Sequence, residues 1–146
     1  MKNRHMQFAI DLAKKARELE EIPVGCVITD KNNNMVSYAF NSVNKNNDPT
    51  AHAEILAIRK ACKKLKRTKL TDYSLYVTLE PCKMCETAII NSGIRKIYFG
   101  AYSDSIKVNN SKLKNYFSSY KNYEFLGGFN EEYCSKLIIE FLKKKR

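Results

Sequence analysis

The stretch Leu75-Tyr76-Val77-Thr78-Leu79-Glu80-Pro81-Cys82-Lys83-Met84-Cys85 decides how this chain is built. Its first five residues are rich in β-formers and read as a strand. Pro81 suits a place just ahead of a helix or in its first turn, where a missing N–H costs nothing. The helix that follows runs to Ser92-Gly93, with glycine as its C-cap. Arg95-Lys96-Ile97-Tyr98-Phe99 then reads as a second strand. Strand, helix and strand in this order predict a right-handed parallel crossover. Cys82 and Cys85 would sit at the carboxyl end of a strand, where α/β sheets place their ligands.

Upstream, the pattern from Met6 to Glu20 predicts a helix with Ala9, Leu12, Ala16 and Leu19 on its apolar stripe and His5 at the surface near its start. Ile22-Pro23 breaks it. Val24 to Thr29 reads as a buried strand. Asp30-Lys31-Asn32-Asn33-Asn34 is turn chemistry, so Met35 to Phe40 should return as the second arm of a hairpin. Ala51 to Lys66 reads as another helix, with Thr50 as N-cap and Ile55, Ile58, Cys62 and Leu65 facing the core. Near the end, Tyr123 to Leu126 reads as a last strand. Asn130 opens a final helix whose stripe is Cys134, Leu137, Ile138, Phe141 and Leu142. The element order predicts one α/β domain over residues 1–146.

Chemistry concentrates in two places. Thr50-Ala51-His52-Ala53-Glu54 and the Cys82/Cys85 segment together offer one imidazole, two thiols and one spare carboxylate. Cysteines three apart at a helix start lie on one side, and the positive end of a helix favours thiolates. Zinc takes imidazole and thiolate, and a catalytic zinc keeps three protein ligands with an open position for water. His52, Cys82 and Cys85 make such a set for one zinc ion per chain. Glu54, two residues from a ligand, is the candidate proton shuttle. Cys26, Cys62 and Cys134 fall in apolar segments and read as small buried hydrophobes.

His-x-Glu followed by Pro-Cys-x-x-Cys resembles the signature of the zinc nucleoside and nucleobase deaminases. Longer strings narrow it: Ile22-Pro23-Val24-Gly25, Asp48-Pro49-Thr50-Ala51-His52-Ala53-Glu54-Ile55, Tyr76 to Cys85 and Phe99-Gly100-Ala101 are similar to the bacterial tRNA adenosine deaminases. The resemblance covers most of the chain from about residue 6. It implies a cytidine deaminase-like fold, a three-layer α/β/α sandwich with a mixed five-stranded sheet. It further implies hydrolytic deamination of adenosine to inosine at the wobble position of a tRNA anticodon stem-loop, a homodimer, and a substrate contact from Asn41. Deaminases of free bases or nucleosides share the zinc core and are one alternative. A non-catalytic, zinc-containing nucleic-acid-binding module is another, and it would need a fourth protein ligand. The chain lacks the family's glycines after Phe99-Gly100-Ala101, and Asp104 matches the family's acidic residue only with an insertion.

The net charge of +11 comes from 26 lysines and arginines against 15 acidic residues. One reading is an anionic partner such as RNA; the other is a solvated surface rich in lysine and asparagine. Tyr116, Phe117, Tyr120 and Tyr123 interleave with Lys112, Lys114 and Lys121, which would suit either base stacking or core packing. No apolar run reaches the ~20 residues that span a bilayer. With an odd count of five cysteines and no secretory pattern, a cytoplasmic protein without a disulfide framework is expected. If RNA is the partner, log–log plots of affinity against salt should fall by roughly 0.7 per single-strand phosphate neutralised. A flat response in a filter-binding titration would contradict it.

Overall fold

A computed structural model of the chain describes residues 2–106 and 122–145. The N-terminal helix α1 (Lys2–Glu18) leads into β1 (Gly25–Thr29) and β2 (Met35–Phe40). A short turn of helix, α2 (Val43–Asn46), precedes α3 (Ala53–Leu65). Then come β3 (Ser74–Leu79), α4 (Lys83–Ser92), β4 (Lys96–Ala101), the short α5 (Ser103–Ile106), β5 (Glu124–Leu126) and α6 (Glu131–Lys144). The five strands form one mixed sheet in the order β2-β1-β3-β4-β5. Both pairings of β1 are antiparallel, while β3, β4 and β5 run parallel. The expected hairpin and the expected parallel crossover are both present.

Strand alternation sorts the helices into two layers. A Cβ on Gly25 would point at Leu12 and Ala13 of α1, and Cys134 of α6 sits over Gly100 of β4. Tyr76 of β3 stacks on His5 of α1, and its neighbour Tyr98 meets Phe129 just ahead of α6. So α1 and α6 share one face. On the other, Ser37 of β2 donates a hydrogen bond to the Ala57 carbonyl of α3 at 2.8 Å, and α4 packs beside α3. The three-layer arrangement follows, with β1 and β3 almost wholly buried between helices.

Several local expectations shift. Helix α1 starts four residues before Met6, which puts His5 on the same stripe as Ala9, Leu12 and Ala16. His5 is therefore buried, at 2% exposure, instead of lying at the surface. At the other end the helix stops at Glu18, and Leu19 is left 51% exposed. Its close is a Schellman motif: Glu21 N–H donates to the Ala16 carbonyl at 2.9 Å and Glu20 N–H to that of Arg17 at 3.0 Å. Glu20 takes the left-handed position, at φ 61°, where glycine is usual.

The core face of α3 is Ala53, Glu54, Ala57 and Ala61, not the larger residues. Ile55, Ile58, Cys62 and Leu65 are only half-buried along its flank. Small side chains let the helix backbone approach the sheet closely, as the Ser37 bond to its main chain requires. Cys26 and Cys134 are buried as expected, while Cys62 is half-buried. Asn130 occupies the N-cap position of α6 at φ 52° but makes no side-chain cap bond. Gly93 closes α4 in the left-handed conformation, at φ 83°, as read from sequence.

At the sheet's β2 edge, Lys60 donates to the Tyr38 carbonyl at 3.2 Å and Lys64 to the Val36 carbonyl at 3.3 Å. Lys112, Lys114, Tyr116, Phe117, Tyr120 and Lys121 lie outside the described residues.

Gly25 is the tightest helix–sheet contact on the α1 face. A methyl there would lie 2.8 Å from Leu12 Cβ and 2.9 Å from Ala13 N, closer than packing permits. Gly25→Ala should cost about 1–3 kcal/mol or more by overpacking, seen as a lower urea midpoint with unchanged slope.

Candidate metal centre and active site

Two helix N-termini converge at the end of β3. The N-cap of α3 is His52, at φ −72° and ψ 154°, and that of α4 is Cys82, at φ −72° and ψ 173°. Neither side chain bonds back to its own helix. Both are left to face each other. Thr50 is not the cap expected from sequence. It is held two residues earlier by Asp48, whose Oδ1 accepts its N–H at 2.9 Å and its hydroxyl at 2.7 Å. That Asx turn delivers His52 to the start of the helix.

His52 Nδ1 lies 3.6 Å from Cys82 Sγ and 3.4 Å from Cys85 Sγ. The three donor atoms all fall within 4.8 Å of one another, and among the described residues this is the one such group with three members. A tetrahedral zinc with Zn–N of about 2.1 Å and Zn–S of about 2.3 Å sets its nitrogen and sulfur ligands about 3.6 Å apart. The cluster fits one zinc ion by distance as well as by donor type.

The electrostatics suit the same chemistry. A hydrogen bond from the Cys85 thiol, with the help of His52, holds the Cys82 thiol down to about 4 despite burial. Cys85 is pushed up, first by that same bond and then by burial. The pair shares its charge unequally, with Cys82 the readier thiolate, and a zinc ion held here would favour thiolate at both sulfurs. Burial, and then the charge of Cys82, push the Glu54 carboxyl up to about 7. A carboxyl poised there can both accept and donate a proton near neutral pH.

A cavity lined by Ile22, Val24, Asn41, His52, Glu54, Leu79, Glu80 and Cys82 opens onto the cluster. Four of the five residues singled out as metal ligands, proton shuttle or substrate contact therefore share its wall: Asn41, His52, Glu54 and Cys82. Cys85 sits behind it, fully buried. Asn41 directly follows β2, and its N–H donates to the Val24 carbonyl at 3.0 Å. Sequence reasoning did not assign Ile22, Val24, Leu79 or Glu80 to the cavity. Their signal was proximity: each lies beside a strand end that the motifs already mark. Glu80 accepts both the N–H and the hydroxyl of Ser103 at 3.0 Å, which ties the start of α5 to this wall.

The basic cluster closing α3 is remote from the cavity. Lys63 and Lys64 lie in the last turn of a 13-residue helix, about 16 Å from its start. Lys69 donates to the Asn91 carbonyl at 2.8 Å, and Arg67 lies over the Tyr73 ring. Lys64, Lys69 and Arg67 thus have structural partners of their own.

Similarity to known proteins agrees with this geometry. The family described as the cytidine and deoxycytidylate deaminase zinc-binding region matches residues 1–101. The tRNA-specific adenosine deaminase of Haemophilus influenzae is 40% identical, over 97% of this chain and 83% of its own length. That of Buchnera aphidicola subsp. Baizongia pistaciae is 42% identical, over 97% and 88%. A solved structure from work on A-to-I editing by tRNA:A34 deaminases superposes with a TM-score of 0.81 at 33% identity, covering 92% of this chain and 98% of that one. With a donor cluster of zinc dimensions beside a buried carboxyl, and relatives matched along almost its whole length, this chain belongs to the zinc-dependent cytidine and deoxycytidylate deaminase family, among the tRNA-specific adenosine deaminases.

Proposed function

We propose that this protein hydrolyses adenosine to inosine at the wobble position of a tRNA anticodon loop. The observation that carries the reading is the buried carboxyl of Glu54 beside His52, Cys82 and Cys85, in one cavity with Asn41. Zinc, when held by His52, Cys82 and Cys85, supplies a Lewis acid that lowers the pKa of a bound water to about 7. Glu54 takes a proton from the attacking water and passes it to adenine N1 as the oxygen adds at C6. It then carries the second proton to the departing amine, so one water is consumed and one ammonia released. Its raised proton affinity suits both directions of transfer. Asn41 contacts the nucleoside and fixes its register.

The cavity walls suit an extruded base. Ile22, Val24 and Leu79 offer apolar surface to a purine, and Asn41, Glu54 and Glu80 add polar groups to the same lining. C6 of a stacked, paired adenine is out of reach, and extrusion costs least where the base is already unpaired. An anticodon loop meets that condition, and RNA readers favour such splayed bases. The surplus of positive charge favours an RNA partner. The same reading carries a cytoplasmic setting, and the family resemblance implies a homodimer. Among the described residues no helix is long and apolar enough to cross a membrane.

Sequencing of tRNA after incubation with the zinc-loaded protein should show an A-to-I change at the wobble position. Ammonia released from free bases, with tRNA left unedited, would select the free-base alternative. Glu54→Ala should keep one zinc per chain and bind the stem-loop as before, while turnover falls by about 10²-fold or more. Turnover that survives this substitution would remove Glu54 from the mechanism.

A further inference from the structure

We infer that Glu21 is a positioning residue for the substrate side of the cavity, its carboxylate fixing the loop that carries Asn41. This rests on the reading of Asn41 as a nucleoside contact. Glu21 is acidic yet only 1% exposed. Its Oε1 accepts the Asn44 N–H at 3.0 Å and its Oε2 the Lys45 N–H at 2.7 Å. Those are the second and third residues of α2, whose first-turn donors need an acceptor from outside the helix. The N-cap, Ser42, does not provide one: its hydroxyl turns away to the Phe40 carbonyl at 3.0 Å. A carboxylate from a different element takes the place of the missing cap, at the end of the helix that favours negative charge.

The clamp has a partner bond. Three residues on from Glu21, the Val24 carbonyl accepts the Asn41 N–H at 3.0 Å. The segment 21–24 therefore grips the loop at two points, one on each side of Ser42. Ile22 and Val24 of that segment line the cavity themselves. Ser42 N–H in turn donates to the Ala51 carbonyl at 3.0 Å, next to His52. The Schellman turn fixes the main chain of Glu21, so the carboxylate reaches the loop from a rigid base. Without it, two N–H groups lose their acceptor, the loop relaxes, and Asn41 leaves its register while the zinc ligands keep theirs.

A double-mutant cycle tests this with zinc-loaded protein and an anticodon stem-loop. Glu21→Ala should retain one zinc per chain and lower kcat/KM by about tenfold or more, mainly through a raised KM. Added to Asn41→Ala it should cost less than about twofold, since both changes remove the same contact. Glu21→Gln preserves volume and one acceptor, and should fall between wild type and Glu21→Ala; it also serves if the alanine variant fails to fold. An equal cost on both backgrounds, loss of zinc, or a glutamine variant equal to wild type would overturn the inference. A wild type that forms no inosine would instead overturn the proposed function. In that case amide exchange in the substrate-free protein decides the clamp. Slow exchange at Asn44 and Lys45 in wild type that quickens in Glu21→Gln upholds it, and equal exchange in the two refutes it.

Discussion

One imidazole nitrogen and two sulfurs have to meet around one point, although His52 and Cys85 stand 33 positions apart in the chain. Neither segment could hold its donors alone. His52 and Cys82 each stand at the head of a helix, in nearly the same extended conformation. Each helix lies on the same face of the sheet, so their heads can share a corner. That corner exists because α3 presses alanines against the strands and because β3 ends where α4 begins. The close packing of the sandwich is thus what sets the sulfur–nitrogen distances, and those distances match the ligand spacing of a zinc ion.

The same convergence arranges charge. The Cys85 and His52 hydrogen bonds favour thiolate at Cys82, and the positive end of α3 accommodates the carboxyl of Glu54 in its first turn. Burial works the other way on Glu54, and burial wins. The carboxyl that results is neither a firm anion nor a firm acid. Its neighbour Cys26, buried behind it, is held as a thiol by burial and by the nearby Glu54 charge. Close packing supplies at once a donor cluster of zinc dimensions and a carboxyl of intermediate acidity.

Much of this was legible in the residues because the signals were local. The β-rich run ahead of Pro81, the Asn-rich turn at 30–34 and the glycine after Ser92 each carry their own stereochemistry, and each element formed where its chemistry indicated. What misled was tertiary. Ile55, Ile58, Cys62 and Leu65 look like the core face of α3 by size, yet the sheet accepts only Ala53, Ala57 and Ala61 on that side. His5 reads as exposed only if α1 begins near Met6; the extra turn from Lys2 puts it on the buried stripe. Thr50 has the right chemistry for a cap but spends it on Asp48. Glu21 gave no signal at all, since its partners are backbone amides more than twenty positions away. Short-range stereochemistry can be read from the letters; a choice among equally apolar faces, or a carboxylate's distant amides, cannot.

The lysines over β2 bear on how this protein avoids misassembly. An outermost strand offers main-chain groups to any other extended chain, the first step toward amyloid-like stacking. On this edge the Val36 and Tyr38 carbonyls are engaged by the ammonium groups of Lys64 and Lys60. An incoming strand would have to strip both cations from their acceptors and then lie against two unmatched positive charges. Part of the chain's basic surplus thus guards its solubility, and crowding by identical copies is steered away from fibril growth along that border.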